Sequence, residues 1–250
     1  TRIVSTPAGQ KRYFKGAAAF VATLALLGIA ATYWMTPRYD TYATTVGGHE
    51  TLTLHDGSLI ELNTDTIVRV LRDTNHRLVR LDKGEAFFQI RHDVKHPFVV
   101  IASDRRLIDL GTKFSVRSDE EHLRVTLVEG RVRVESEDGS ARGTHTLSPG
   151  DVLVASRGNV SVTTQPIATI SNELAWRRGL LMFHETTLLD AAHEFNRYNE
   201  IKIVIRDRKA LHETINGALP ANDLEEFSRM ARNIFGLKTE RRGNKILFSR

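Results

Sequence analysis

The 250-residue chain contains no cysteine, which excludes disulfide bonds, thiolate metal sites and cysteine nucleophiles. It has only 6 prolines and 17 glycines, so there is little room for a long disordered tract. Hydrophobic residues make up 41% of the chain and charged residues 26%, as in folded proteins. A chain of this length can bury one large core or two ordinary ones, and we expect two domains.

The chain also lacks the sequence motifs of common enzymes. It contains no phosphate-binding loop, GxSxG elbow, HExxH pair or dinucleotide-binding glycine fingerprint. His92 and His96 could hold a metal ion only with carboxylates from elsewhere in the chain, and His193 has no second histidine four residues later. We therefore predict no metabolic active site, no cofactor and no metal site.

The net charge of +5 and the isoelectric point near 9.6 could indicate a nucleic-acid-binding protein. The sequence does not contain the basic stripe with interleaved aromatic residues that such binding uses. Instead, arginines such as Arg131 and Arg133 alternate with apolar residues, which is typical of the solvated face of a sheet. We therefore predict no nucleic-acid partner.

The segment from Gly16 to Met35 carries no charged residue and has the length of about 20 residues that a helix needs to cross a membrane. We predict a transmembrane helix over residues 16–36, with a cytoplasmic stub over residues 1–15. The positive-inside rule supports this orientation because four basic residues precede the segment: Arg2, Lys11, Arg12 and Lys15. A cleaved signal peptide, which would also export the remainder, and a buried soluble helix are the alternatives.

Residues 41–155 show short runs of alternating apolar and polar residues, separated by turn pairs, which is the pattern of an all-β domain. We predict about a dozen strands in a sandwich- or solenoid-like arrangement. Asp56-Gly57 predicts one hairpin turn, and Glu129-Gly130 predicts another between two runs that each bury one face. We assign four aromatic residues to the core: Phe87, Phe88, Phe98 and Phe114.

Polarity rises over residues 156–172, which we interpret as a linker, and helical periodicity appears after it. Residues 173–250 predict a small α+β domain that contains a β-α-β unit twice. Thr187 and Asp190 form an approximate capping box at the start of the first helix, and Gly236 ends the second. A hairpin is expected at Gly243-Asn244.

A set of short motifs occurs in a fixed order along the chain. The motifs are Leu54-His55-Asp56-Gly57-Ser58, Gly84-Glu85-Ala86-Phe87-Phe88, Pro97-Phe98-Val99-Val100, Leu110-Gly111-Thr112-Lys113-Phe114, Glu129-Gly130-Arg131-Val132, Ala175-Trp176-Arg177-Arg178-Gly179, Phe195-Asn196-Arg197-Tyr198-Asn199 and Ile215-Asn216-Gly217. In this order the set resembles the FecR family of transmembrane anti-sigma factor regulators. The resemblance spans roughly residues 11–250.

The resemblance implies a protein of the bacterial inner membrane whose C-terminal domains lie in the periplasm. There it would receive a signal from the periplasmic N-terminal domain of a TonB-dependent outer-membrane receptor, as in the regulation of iron uptake. The output would go to a cytoplasmic sigma factor of the extracytoplasmic-function type. That output requires several cytoplasmic helices, whereas about 15 residues precede the hydrophobic segment, so we expect a fragment of a longer protein.

The family's C-terminal domain is similar to the short N-terminal module of secretins and TonB-dependent receptors. A small sheet with open edges can add a strand of its partner, so we expect the C-terminal domain to bind the receptor domain by edge pairing. Arg197 and Tyr198 are the candidate partner-binding residues. Closing of the first helix is the structural alternative for both.

Some members of the family cleave themselves at a Gly-Thr bond that matches Gly111-Thr112 here. The resemblance therefore makes this bond the one candidate for covalent chemistry. In the structural alternative, Gly111 forms a turn and Thr112 begins the strand that contains Phe114.

A membrane-anchored periplasmic enzyme or an envelope structural protein is the alternative function. An enzyme would show a deep pocket with shifted titrating groups, whereas a binding protein would show an exposed sheet edge or apolar patch.

Overall fold

A computed structural model of the chain describes residues 37–250 apart from 74–75, 110, 120–121, 138–142 and 157–158. The predicted cytoplasmic stub (1–15) and transmembrane helix (16–36) lie outside the described residues. Where the structure describes the chain, no helix is both long enough and apolar enough to span a membrane. Residues 39–250 cluster as one compact unit.

The first part of this unit is a large mixed sheet of 13 strands among the described residues. Alternation of buried apolar and exposed polar residues along the strands builds it, as the sequence pattern predicts. The strands are β1 (Tyr39–Ala43), β2 (Glu50–Thr53), β3 (Leu59–Leu62), β4 (Ile67–Leu71), β5 (Arg77–Gln89), β6 (Phe98–Ala102), β7 (Arg105–Asp109), β8 (Lys113–Ser118), β9 (His122–Glu129), β10 (Val132–Ser136), β11 (His145–Leu147), β12 (Asp151–Ser156) and β13 (Asn159–Thr164).

The long strand β5 belongs to both halves of the sheet. Its first half pairs with β4 and, in parallel, with β6, whereas its second half pairs with β3 and β8. Between the halves, Gly84 has φ +90°, and a Cβ there would lie 2.5 Å from the Cα of Thr66. Only glycine fits this bend. The shared strand curls the sheet into a half-barrel around one apolar cluster, instead of the sandwich or solenoid that we expected.

The predicted hairpin at Glu129-Gly130 is wrong. Alternate residues of β9 and β10, such as Val125 and Val134, are buried as the pattern indicates. However, β9 pairs with β8 and β12, whereas β10 pairs with β7 and β11. The turn at Gly130 (φ +88°) therefore carries the chain from one half of the sheet to the other. The strand order is β11-β10-β7-β6-β5-β8-β9-β12-β13.

The second part of the unit is a small α+β region. Its two sheets are the antiparallel pair β14-β16 and the three strands β15-β18-β17, in which β15 and β18 are parallel. The elements are α1 (Ile167–Glu173), β14 (Leu180–Thr187), α2 (Leu188–Tyr198), β15 (Lys202–Ile205), β16 (Thr214–Pro220), α3 (Leu224–Phe235), β17 (Lys238–Arg242) and β18 (Lys245–Ser249), with 3-10 turns at Leu174–Arg178 and Ala210–His212.

Residues 156–172, which we interpreted as a linker, contain β13 and all but the last residue of α1. Their polarity has a different cause: β13 is the last strand of the large sheet, and most of its side chains face solvent.

The start of α2 and the end of α3 lie where the sequence signals predict, whereas the N-cap of α3 is Asp223 and not the neighbouring Asn222 that the sequence pattern indicates. The Thr187 side chain accepts a hydrogen bond from the backbone N–H of Asp190 at the start of α2. Helix α3 is capped by Asp223, and Gly236 in the left-handed conformation (φ +65°) ends it. Both helices bury their apolar faces in a second cluster, which includes Phe195 and Phe227.

Candidate functional site

The two parts of residues 39–250 meet at a polar junction around Arg197, one of the predicted partner-binding residues. Arg197 lies near the end of α2, and its guanidinium bonds Glu85 of β5 at 2.8 Å and Glu194 of α2 at 2.5 Å. The side chains of Arg197 and Glu85 are only 19% and 10% exposed. Burial alone would lower the pKa of Arg197, but the two carboxylates raise it above its ordinary value. Arg197 therefore remains charged and serves contacts within the chain.

Tyr198, the other predicted partner-binding residue, is buried in the same junction. Its hydroxyl accepts a hydrogen bond of 2.8 Å from the side-chain amide of Asn63. The same Asn63 amide donates to Glu85 at 3.0 Å. Burial raises the pKa of the Tyr198 phenol, so the hydroxyl is neutral at physiological pH. These contacts stabilise the end of α2 on the large sheet.

Backbone groups bring the same surfaces close together. The Thr64 hydroxyl donates to the carbonyl of Arg197 at 3.0 Å. A Cβ at Gly47 would lie 2.9 Å from the carbonyl oxygen of Tyr198, so glycine permits this approach.

An aromatic contact extends the junction along the outer face of β5. The Arg177 guanidinium lies 3.8 Å from the ring centre of Phe87 and also pairs with Glu61 of β3. The ring of Trp176 is buried beside Arg177, and His49 meets it edge-on at 5.8 Å. Phe87 belongs to the apolar cluster of the C-terminal region although it lies in the large sheet.

Sequence analysis did not identify Asn63 and Glu85 as partners of the candidate residues. One signal was available: Glu85 and Phe87 are two residues apart in a strand and therefore share a face. A large aromatic side chain beside a carboxylate indicates that this outer face is covered by another part of the protein.

A cleft of about 670 Å³ lies beside the junction, between the large sheet and β14. Two arginines of the sheet line it, and each pairs with a carboxylate of the C-terminal region. Arg117 lies 3.3 Å from Glu194, and Arg124 lies 2.6 Å from Glu173. These pairs form a further link between the two parts.

The candidate self-cleavage bond lies at the other end of the sheet, where β8 begins. Gly111 has φ +137°, which strains any residue other than glycine. Its N–H donates to the carboxylate of Asp109 at 2.9 Å. His92 packs against it, because a Cβ at Gly111 would lie 2.7 Å from His92 Nδ1. Gly130 also lies close, because a Cβ at Gly130 would lie 2.9 Å from the Gly111 carbonyl oxygen.

Thr112 completes this site. Its side chain is only 4% exposed, and its hydroxyl has no hydrogen-bond partner among the described residues. The backbone carbonyl of Thr112 accepts a hydrogen bond of 2.9 Å from the N–H of Ile90, which fixes the plane of the following peptide. A buried hydroxyl therefore directly follows a glycine whose backbone conformation other residues rarely adopt, and the imidazole of His92 packs against that glycine.

The histidines considered as metal ligands are dispersed. His96 pairs with Asp93 at 2.9 Å in an exposed turn, and this bond lowers the pKa of Asp93. His92 faces Gly111, and His193 is exposed on α2. The described residues contain no cluster of three or more potential metal ligands.

The outer edge of β16 is an open strand edge in the C-terminal region. In the described chain β16 pairs only with β14. The Ala221 N–H donates to the Gly179 carbonyl, so every second residue of β16 from Ala221 directs its backbone N–H and C=O groups toward β14. Gly217 and Leu219 are two of these residues. The backbone groups of Ala218, which lies between them, point away from β14. The strand carries no charged residue, and five of its seven residues are exposed. Its outer edge therefore presents backbone groups without charged side chains beside them.

The chain is similar to one known protein family in sequence and to solved structures in fold. Residues 40–133 match the model of the family described as FecR protein, which confirms the resemblance for this part of the chain. No curated protein sequence matches the chain.

Two crystal structures of a candidate anti-sigma factor from Parabacteroides distasonis ATCC 8503, at 2.50 and 1.65 Å resolution, have a similar fold. The TM-score is 0.68 and the sequence identity 23% for both. The similarity covers 85% and 84% of this chain, respectively, and 99% of the other chain.

Proposed function

We propose that this chain, whose residues 40–133 form a FecR domain, is the membrane-spanning regulator of an extracytoplasmic-function sigma factor. The observation that carries the proposal is the FecR match together with the C-terminal α+β region docked on the same sheet. The solved structures with a similar fold, described as those of a candidate anti-sigma factor, support the same class of function. The sigma factor would bind a cytoplasmic region that precedes the hydrophobic segment.

In this proposal the chain spans the inner membrane once through residues 16–36, and residues 37–250 lie in the periplasm. The uncharged segment from Gly16 to Met35 and the basic residues before it support this placement. The input is the periplasmic N-terminal domain of a TonB-dependent outer-membrane receptor.

The receptor domain would add a strand to the outer edge of β16. Arg197 and Tyr198 are used within the chain, so the partner must bind elsewhere. β16 has exposed, small and uncharged residues, and main-chain bonding to such an edge supplies affinity without requiring charge complementarity. Pro220 has no N–H, so pairing would use the backbone groups around Asn216 and Ala218.

The test uses the full chain in detergent and purified periplasmic domains of the TonB-dependent receptors from the same host. Ala218→Pro removes an N–H that points away from β14, so the β14-β16 pairing remains while the outer edge loses a donor. We expect capture of one receptor domain, at least about tenfold weaker for Ala218→Pro, because losing hydrogen bonds and blocking strand approach costs more than about 1.4 kcal/mol. Ala218→Ser is the matched control and should bind like the wild type.

Capture of no receptor domain by the intact chain would overturn the proposed input. Equal binding by Ala218→Pro and Ala218→Ser would retain the receptor but reject β16 as its docking edge. Circular dichroism of each variant checks that the sheets are intact.

Self-cleavage between Gly111 and Thr112 is a second proposed activity, which the geometry of that bond favours. The Thr112 hydroxyl would attack the Gly111 carbonyl carbon and pass its proton to a base, for which the imidazole that packs against Gly111, that of His92, is the candidate. The C–N bond then breaks, the nitrogen takes a proton and becomes the free amine of Thr112, and an ester joins the residues. Water hydrolyses the ester, which leaves a Gly111 carboxylate and the Thr112 hydroxyl.

Mass spectrometry of the purified chain tests this activity. We expect fragments that end at Gly111 and begin at Thr112 in the wild type and in Thr112→Ser, which keeps the hydroxyl. Thr112→Val keeps the shape of the side chain without the nucleophile and should remain intact. Fragments of the same mass from Thr112→Val would reject the acyl shift.

A further inference from the structure

The last strand of the large sheet, β13, ends the sheet with an open edge. Within the described residues, β13 pairs with β12 and with no other strand. Five of its six side chains are exposed. No charged residue occurs from Gly158 to Asn172, a segment that contains the whole strand. The edge therefore lacks the charges, proline and bulges with which soluble proteins usually block strand addition.

The hydrogen bonds between β12 and β13 determine which backbone N–H and C=O groups of β13 point to its open edge. Gln165 N–H donates to the Gly150 carbonyl at 2.8 Å, and the register continues through the pairs Val152↔Thr163 and Val154↔Ser161. Residues in these pairs bond to each other, so the residues between them direct their N–H and C=O groups outward. The outward residues are Val160, Val162 and Thr164.

These three residues form a set that is complementary to itself. If two copies of β13 lie antiparallel about Val162, then Val162 faces Val162 of the second copy and Val160 faces its Thr164. Each facing pair exchanges both backbone hydrogen bonds, and no charges of like sign come together. The pairing also covers Val162, which is 40% exposed and is among the exposed large apolar residues of the described chain.

The other open edges of this sheet suit such pairing less. β11 has three residues, β1 carries Asp40, and β2 begins with Glu50. Self-pairing of β17 in the C-terminal region would oppose strands in which four of five residues are charged.

From this geometry we propose that β13 is a homodimer interface, in which two copies of this chain join their large sheets through antiparallel pairing centred on Val162. Facing residues in such a pair point to the same side of the sheet. The two Val160 and two Val162 side chains then form one apolar strip that continues the inner face, because Val160 already packs against the core cluster. The interface is separate from β16 and does not depend on the proposed receptor.

The absence of cysteine makes the register directly testable by disulfide cross-linking of the full chain in detergent. In a hydrogen-bonded antiparallel pair the facing Cα atoms are about 5.5 Å apart, within the range of a disulfide. Val162→Cys should therefore give a disulfide-linked dimer under mild oxidation. In Val160→Cys the two sulfurs belong to residues offset by roughly 14 Å along the strands, so this variant should remain monomeric. Val94→Cys, at a site outside the edge that is more exposed than Val162 (63% against 40%), controls for random collision.

A second measurement avoids cysteine. Val162→Pro removes an outward N–H and leaves the pairing with β12 intact, whereas Val162→Thr keeps the N–H and the β-branched shape. Sedimentation should show a dimer for Val162→Thr and at least a tenfold weaker association for Val162→Pro, at equal thermal stability.

Two results would overturn the interface: Val162→Cys that cross-links no better than Val94→Cys, or equal association of the proline and threonine variants. Cross-linking of Val160→Cys as efficient as that of Val162→Cys would overturn the register. A mixed disulfide of Val162→Cys with a different protein in membranes, in place of the homodimer, would overturn the second copy as the occupant.

Discussion

Two adjacent phenylalanines of β5 belong to different cores. Phe88 faces the inside of the half-barrel, where its ring stacks on Phe114 with the centroids 5.0 Å apart. Phe87 faces outward and joins the apolar cluster of the C-terminal region, beneath the guanidinium of Arg177. The large sheet thus builds its own core with one face, while the other face supplies part of the core of its neighbour.

The two faces also differ in chemistry. The inner cluster consists of apolar side chains, whose burial stabilises the fold without prescribing one geometry. The outer junction combines Phe87 with desolvated charges, chiefly Arg197 and Glu85, which are favourable only when each finds its partner. Apolar packing therefore stabilises the large sheet, whereas hydrogen bonds and ion pairs at the junction set the orientation of the C-terminal region.

The largest effect is expected from alanine at the two phenylalanines. Phe88→Ala removes a fully buried ring and should cost about 3 to 5 kcal/mol of unfolding free energy, with the sheet and the C-terminal region unfolding together. Phe87→Ala should instead weaken the junction, so that the C-terminal region unfolds at lower denaturant concentration than the sheet. With Trp34 replaced by phenylalanine in every variant, the fluorescence of Trp176 reports the C-terminal region, and circular dichroism reports mainly the large sheet, which contains 13 of the 18 described strands. Coincident transitions in Phe87→Ala would show that packing at Phe87 does not couple the two parts.

The next effect concerns the charges of the junction. Arg197→Met leaves Glu85 buried without its cation and should cost about 3 kcal/mol of unfolding free energy. Adding Glu85→Gln removes the unpaired charge, so the double variant should recover part of that loss. Chemical denaturation of the wild type, both single variants and the double variant gives the coupling energy between the two residues. Additive losses would mean that the pair does not orient the junction.

Sequence patterns predicted local structure better than they predicted neighbours. The alternation along β9 and β10 identified the buried residues, and the turn at Gly130 was also correct. The pairing was wrong because a turn signal does not distinguish a hairpin from a crossing between two halves of a curved sheet. Helix caps at Thr187 and Gly236 were predictable since they depend on residues close in sequence.

At the candidate sites, too, the sequence indicated local features but not the residues that lie nearby in space. The positive φ of Gly111 is consistent with its motif, but the approach of His92 and Gly130 depends on the fold of distant strands. Arg197 and Tyr198 stood out in their motif, yet their partners Glu85 and Asn63 are more than 100 positions away. No periodicity within α2 could have indicated that these side chains close an internal junction.

The smallest expected effect tests whether a polar contact inside the large sheet matters less than those of the junction. Asp56 accepts a hydrogen bond of 2.6 Å from the buried guanidinium of Arg77 and two bonds from Ser58. Burial alone would raise the pKa of Asp56, but these donors outweigh it and hold the pKa below its ordinary value.

Because the folded-state pKa of Asp56 is depressed, its contribution is fully present above the unfolded pKa of about 3.9 and is lost as the pH falls through the folded-state value. Asp56→Asn should therefore cost about 1 to 2 kcal/mol of unfolding free energy at pH 7, and the difference from the wild type should disappear in stronger acid. Urea denaturation between pH 7 and about pH 2 measures this. Asp82→Asn, which removes a more exposed pair with Arg69, is the matched control and should cost less at pH 7. A loss from Asp56→Asn as large as that from Arg197→Met would contradict the distinction between the two faces, because directional contacts would then matter equally within the sheet.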